Sequence, residues 1–455
     1  MFSSQKKEHV ERERRPDVGI VYSDTSQHSA ESKNLATYFC GLLATSGYSN
    51  VYMIGIDAHT GGPSMSLPSS KRILYTPRGT PSGGKQKAIE VPASDVTFAY
   101  LDKIQTCHVV VVTVNSNDMA PLKQQLVDML DPKRQGAPRS VTIFSIQRGV
   151  RNASVIRDAF LGRKDVAVVE CVVGFAVVPH PKTAALCPTV PSPVIIFERL
   201  SKEIEDQADG PLRLMESIDM EAIYDKTLTP YSWGVMVWEC LFALNVIAGG
   251  ALQETLLADA EMRLVLAAML RESRQALSAA ARGGAWRPSF RLISSLISPW
   301  SFEMLLVLPL PRRVLWCVLW LLGALPSGGG IISSGQLDLA EGRRTMVQEH
   351  LGELVGTGRR YSLAMPVCTE VLERVQKMEK GVAECVPGSG CGGPTEVAAL
   401  KASILALPVP GGGGAEGAKR HSLAPASLKE SRFWLLRLLA IASLFPLAHF
   451  LLFHH

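Results

Sequence analysis

The sequence predicts an α/β domain built on a mostly parallel sheet, followed by an all-α domain. Three observations carry this. Short, near-continuous Val/Ile runs alternate with helically spaced segments over the first 200 residues. Such runs mark strands buried on both faces of a sheet. From Pro211 onward the apolar spacing becomes that of helices. Beyond about residue 384 the chain turns rich in Gly and Pro. The organisation read from this is a polar tail (1–15), a sheet domain (16–205) and a helical domain (211–383). A Gly/Pro-rich linker (384–429) and a terminal apolar segment (433–453) follow.

The elements follow in order. Val18 to Tyr22 (VGIVY) is the first strand. Ser32 to Ser46 is a helix with Leu35, Phe39, Leu42 and Leu43 on one side, and Gly47 is its C-terminal stop. Val51 to Ile56 closes a βαβ unit. Val109 to Val114, Val141 to Ile146, Val166 to Val178 and Val194 to Phe197 are further strands. Ser232 to Gly249 and Gln253 to Arg282 read as helices, and Gln336 to Met378 as two more, separated near Arg359 to Pro366.

Composition narrows the function classes. Of 455 residues, 47% are hydrophobic and 20% charged, enough for a large core. Lys and Arg (47) exceed Asp and Glu (42) by only five, a bias too weak to imply nucleic acid. The nine cysteines are scattered without a CxxC pair, so they read as reduced thiols rather than a disulfide framework or a zinc site. No metal site is expected.

The start of the chain lacks the apolar core of a signal peptide. Phe433 to Phe453 (FWLLRLLAIASLFPLAHFLLF) is long enough to cross a bilayer core of roughly 30 Å. Arg432 and Trp434 stand where interfacial anchors would, and Lys419, Arg420 and Lys429 precede them. This predicts a C-terminal membrane anchor with the body in the cytosol. The competing reading is a buried C-terminal helix. A second apolar stretch surrounds the 286–312 insertion and reads either as a membrane-contacting hairpin or as an ordinary domain helix. Arg312 and Arg313 favour the latter.

In open parallel sheets, ligands bind beyond the carboxyl ends of the strands. A dinucleotide site would need glycines after the first strand, so that backbone and helix N-terminus can approach the pyrophosphate. The connection here, SDTSQHSAESKNLA, has none. Asp57 closes the second strand where an acidic residue would hold a ribose hydroxyl, or simply caps a turn.

Five segments in the same order resemble the ketopantoate reductase (2-dehydropantoate 2-reductase) family. They are VVVVTVNSND (109–118), VTIFSIQRGVRN (141–152), VVECVVGFAVVP (168–179), residues 243–277, and SSGQLDLAEGRRTMVQEHLGELVGTGRRYSLAMPVCTEVLERV (333–375). The resemblance spans about Asp17 to Lys380. It implies a Rossmann-type domain for NADP or NAD, a helical substrate domain, and hydride transfer to a 2-keto acid in the cleft between them.

The residues at the family's working positions depart from its pattern. Aligned back from Gly47, the glycine-motif positions hold Glu31, Lys33 and Ala36. Asn115 stands for the lysine after the fourth strand. Arg148 stands for a cofactor-side asparagine, as a phosphate contact or, more commonly, an exposed ion-paired arginine. Asn245 and Ser334 match substrate-binding positions. The proton-donating lysine falls on Val237, with Leu241 between it and Asn245; another gap placement gives Cys240 and Leu244. Lys226 is too far upstream. The essential glutamate falls on Met346, with Glu349 and His350 on the same helix face as substitutes or as surface residues. Two readings therefore stand: a divergent NAD(P)-dependent 2-keto acid reductase, or a membrane-anchored pseudoenzyme serving as a binding or scaffold module. A third, weaker one is a structural membrane protein.

Overall fold

The computed structural model describes residues 16–23, 30–47, 50–56, 63–64, 72–75, 87–90, 96–133, 140–146, 148–180, 183, 185–190, 193–218, 220–248, 259–281, 287–289, 292, 299–308, 310–311, 314–315, 334–384 and 394–405. The first lobe contains β1 (Asp17–Ser23), α1 (Glu31–Ser46), β2 (Asn50–Ile56), β3 (Pro63–Ser64), β4 (Arg72–Tyr75), β5 (Lys87–Glu90), β6 (Val96–Phe98) and β7 (Val109–Val112). It continues with α2 (Met119–Met129), β8 (Val141–Ile146), α3 (Asn152–Ala159), β9 (Val166–Val173), β10 (Val177–Pro179), β11 (Leu186–Pro188), β12 (Val194–Glu198), α4 (Lys202–Ser217) and β13 (Glu221–Asp225).

Nine of these strands form one sheet in the order β13-β12-β9-β8-β7-β1-β2-β3, with β6 also paired to β2. From β9 to β2 every neighbour is parallel. β12 runs antiparallel to β9. A smaller sheet has the order β10-β11-β4-β5. The chain leaves β1 to one side for β2 and returns on the other side as β7. The carboxyl ends of β1 and β7 therefore flank the reversal of strand order where open sheets form their crevice.

Both faces of the sheet are covered, which is why its strands carry little polar alternation. α1 lays Leu35, Phe39, Leu42 and Leu43 into one apolar cluster with Val18, Ile20 and Phe144. Each such buried side chain contributes about 1.5–3 kcal/mol of transfer free energy. α2 and α3 cover the other face with Leu122, Leu126 and Ile156. Gly47 ends α1 at φ 70°, its amide donating to the Ala44 carbonyl, as its position predicts.

The second lobe contains α5 (Thr229–Ala248), α6 (Ala260–Ala280), α7 (Pro299–Val307), α8 (Ser334–Ala340), α9 (Val347–Arg360), α10 (Pro366–Glu384) and α11 (Pro394–Leu405). α5 is its axis. Among the described residues it alone has the length and apolarity to cross a membrane, yet 89% of its apolar window is buried inside the protein. It is a core helix.

Several expectations change. The boundary at 205–211 falls inside α4, which carries Pro211 within it. Burial of Ala208, Leu212 and Met215 against the sheet outweighs the proline's lost hydrogen bond. β13 then pairs parallel with β12, so the sheet lobe runs to Asp225. The predicted strand 166–178 divides into β9 and β10. Residues 336–378 form parts of three helices rather than two, because the chain breaks again at Gly342, with φ 74°. The 384–429 stretch is not all linker. α11 lies within it, with Leu400 and Ile404 buried in the helical core and Lys401 paired to Asp259. Its residues TEVAALKASIL lack the glycines that flank them and place apolar groups one turn apart.

In the 286–312 insertion, the domain-helix reading holds for α7. Phe302, Leu305 and Leu306 join the helical core, and Glu303 pairs with Arg271 and Arg274. Arg312, Arg313 and the 433–453 segment lie outside the described residues. So do Asp57 and the 1–15 tail.

Candidate functional site

The crevice is built on the carboxyl ends of β1, β7 and β8 and the described residues just beyond them. The first turn of α1 is stitched to two of them. Ser23 N donates to Ser32 Oγ at 2.8 Å, and Asn115 N donates to Ser23 Oγ at 3.1 Å. Thr113 Oγ1 donates to the carbonyls of Val21 and Ser32. These bonds fix Glu31 at the head of α1, directly over the sheet's carboxyl edge.

Arg148 follows β8 and is 6% exposed. Its Nε lies 2.7 Å from Glu31 Oε1, and its Nη1 lies 2.9 Å from Glu239 Oε1 on α5. Glu31 is itself only 5% exposed and accepts a 3.5 Å hydrogen bond from Ser334 Oγ. The expectation of an exposed Arg148 is therefore corrected. Two carboxylates compensate its desolvation, so it stays inside. The backbone around it is tight. Asn152 Nδ2 donates to the Arg148 carbonyl and to Ser116 Oγ, and Ser116 Oγ donates to the same carbonyl. Gly149 holds φ 136°, with space for a Cβ blocked by Asn152 and Ser116.

Two more carboxylates reach the crevice from the helical lobe. Asp338 Oδ1 accepts from Ala30 N at 3.1 Å and is paired with Arg343. Glu349 Oε2 accepts from Ser116 N at 3.0 Å. Acceptors at a helix N-terminus are favoured by its unpaired N–H groups and dipole.

The electrostatics follow from burial. Desolvation raises the Glu31 carboxyl; Arg148 opposes this, while Glu239 and Asp338 add to it. Glu239 is raised for the same reason, against the pull of Arg148. Burial works against the Arg148 charge, but Glu239 and Glu31 outweigh it. His350 is buried and pushed down to about 3, by desolvation and then by the Arg148 charge, so it is a neutral imidazole.

The structure brings Glu31, Arg148 and Ser334 into one cluster. Asn115 is buried beside it. Asn245 is 1% exposed with no hydrogen bond to its carboxamide among the described residues, and its carbonyl accepts from Gln336 Nε2, two residues from Ser334. Ala36 faces the sheet core instead. Val237, Cys240, Leu241 and Leu244 are all packed in the helical core, so neither register supplies an ammonium. Lys226 is exposed before α5. Met346 is the buried N-cap residue of α9. Glu349 and His350 are not surface residues: one binds a backbone amide and the other is buried.

Sequence reading missed Glu239 and Asp338. A signal existed for Glu239, the one carboxylate within the apolar run of α5, since a lone charge in a buried helix demands a partner. Asp338 carried no such mark. Among the described residues, no group of three or more His, Cys, Asp or Glu is placed to hold a metal, and six cysteines are free thiols.

A dinucleotide's phosphates need open N–H donors and room at the head of α1. Here the Ala30 and Ser116 amides already hold carboxylates, and a third carboxylate, that of Glu31, is buried against Arg148. The described residues do not fit that group.

No family model and no curated protein matches the chain by sequence. Solved structures do match. A PanE/ApbA family ketopantoate reductase from Ralstonia eutropha JMP134 superposes with TM-score 0.52 at 16% identity, covering 80% of this chain and 99% of that one. D-mandelate dehydrogenase, in a ternary structure with NADH and anilino(oxo)acetate, gives TM-score 0.53 at 12% identity over 80% and 99%. 2-Dehydropantoate 2-reductase from Geobacter metallireducens GS-15 gives 0.50 at 14% over 79% and 99%. A Rossmann-like sheet lobe followed by a helical lobe, in this order and over nearly the whole length of each neighbour, is the ketopantoate reductase fold, and this chain has it.

Proposed function

We propose that this chain is a reductase-fold protein that does not transfer hydride and serves as a binding or scaffold module. The observation that carries the proposal is the buried Glu31 carboxylate at the head of α1, ion-paired to Arg148 where a dinucleotide's phosphates would lie. A carboxylate there repels phosphate, and its partner arginine is already neutralised. The chemistry agrees. Reduction of a ketone needs a proton donor for the developing alkoxide, and loss of that group alone forfeits about 10²–10⁴ in rate. The matching positions hold Val237 or Cys240 inside an apolar core.

The test is titration of the full-length protein with NADPH and with NADH, followed by assay with ketopantoate and related 2-keto acids. The proposal expects no saturation up to millimolar nucleotide and no hydride transfer.

One observation favours a second reading, an NAD(P)-dependent 2-keto acid reductase. Asn245 keeps a buried carboxamide without hydrogen-bond partners among the described residues, a cost of about 1–3 kcal/mol that a polar ligand would relieve. The solved neighbours named as 2-dehydropantoate 2-reductase and D-mandelate dehydrogenase point the same way. Micromolar nucleotide binding with turnover would establish this reading and overturn the first.

The apolar run Phe433 to Phe453 adds a C-terminal membrane anchor to the proposal. Deleting residues 433–455 is expected to move the protein from the membrane pellet to the supernatant. Retention in the pellet would reject the anchor.

A further inference from the structure

The described residues just beyond the three central strands meet carboxylates of the helical lobe, three of them at the crevice and a fourth, Glu353 of α9, on the more exposed Arg151. After β1, the Ala30 amide donates to Asp338 of α8 at 3.1 Å. After β7, the Ser116 amide donates to Glu349 of α9 at 3.0 Å. After β8, the Arg148 guanidinium pairs with Glu239 of α5 at 2.9 Å. The partners lie between 91 and 308 residues apart in sequence, so every one of these contacts crosses from one lobe to the other.

We infer that Asp338, Glu349 and Glu239 form a three-point clamp by which the helical lobe is held on the sheet's carboxyl edge. The inference deepens the proposed function, because it says what holds the crevice shut, but it stands on its own contacts. In two-lobed clefts, closure ordinarily draws on binding energy from a ligand that touches both sides. Here the chain's own anions supply the bridging interactions. They are charge-assisted hydrogen bonds or ion pairs, roughly twice as strong as neutral ones. Asp338 is 1% exposed and Arg148 is buried, so added salt screens them little. The lobes also share an apolar cluster of Val172, Ile196, Leu228, Tyr231 and Val235. An anionic ligand would gain entry only by displacing carboxylates from the same N–H donors.

The test uses the full-length triple variant E239Q/D338N/E349Q, which removes the three charges and keeps their volume. Two readouts are taken. Hydrogen exchange is followed by mass spectrometry in peptides containing residues 30 and 116, with residues 141–146 of β8 as a folding reference. The radius of gyration is measured by neutron scattering with the detergent contrast-matched. The clamp expects at least tenfold faster exchange at both turns and a larger radius of gyration, while β8 stays protected. An unchanged radius would overturn it, since these three charges would then not set the lobe arrangement. If β8 loses protection as well, the triple variant has unfolded, and D338N and E349Q singly, read the same way, decide the matter. Nucleotide binding by the unaltered protein would overturn the proposed function and leave the clamp untouched.

Discussion

Glu31 and Arg148 form a buried ion pair at 2.7 Å, one at the head of α1 and the other just beyond β8. Glu239 completes a triad on the same guanidinium at 2.9 Å. Three charges in a low-dielectric site are stable only together, because each is expensive to leave alone.

Replacing Arg148 with Met is therefore expected to destabilise the protein by about 3–5 kcal/mol at neutral pH, the usual cost of stranding buried charge. Urea unfolding of the variant measures it. The triple variant E31Q/R148M/E239Q is expected to recover most of the loss. The sign with pH is also fixed. The folded Glu31 carboxyl is raised above its unfolded value, so its contribution is greatest in acid and is lost as pH rises through the folded value. R148M should accordingly lose less at pH 5 than at pH 7.5.

His350 gives the opposite slope. Its folded value is depressed to about 3, chiefly by burial and further by Arg148. Its contribution is fully present above the ordinary histidine value of about 6.5 and is lost as pH falls from there toward 3. The stability difference between the unaltered protein and H350Q should shrink progressively between pH 7 and pH 4. A difference that stays constant over that window would show that His350 does not titrate in this way.

Glu272 holds the start of α10. Its two oxygens accept from the amides of Val367 and Cys368 at 2.9 and 2.8 Å, inside the helical core. E272A would leave both donors buried without acceptors, at about 1–3 kcal/mol each. A fall in the thermal midpoint larger than that of E272Q, whose amide oxygen still accepts one bond, is the expected result.

Gly149 is required by its backbone. It holds φ 136°, and polar atoms of Asn152 and Ser116 stand 2.8 and 2.9 Å from where an alanine methyl would sit. Alanine would be strained there and would collide. G149A is expected to cost about 1–3 kcal/mol and to disturb the Ser116–Asn152 contacts that shape the crevice floor. Chemical denaturation gives the cost, and side-chain amide NMR of Asn152 reports the disturbance.

The apolar patterning carried the fold far. The six buried residues of β8 and the glycine stop after α1 lie where the sequence puts them, since period and turn chemistry are local properties. Local rules failed at Pro211 and at α11. In both places, burial against distant elements outweighed a residue type that usually interrupts helices or a neighbourhood that usually forms linkers. At the crevice, the sequence alone showed no glycine in the connection after β1 and apolar residues at Val237 and Met346. It placed Glu31 and Arg148 on the right elements but gave no reason to pair them.

That pairing, and the arrival of Glu239, Asp338 and Glu349, were decided only by the tertiary structure. A charged residue's pattern in sequence is the same whether it faces water or a buried partner hundreds of residues away. The energy that separates the two cases comes from desolvation and from the geometry of the partner. Both exist only once the helical lobe has folded back over the sheet's carboxyl edge.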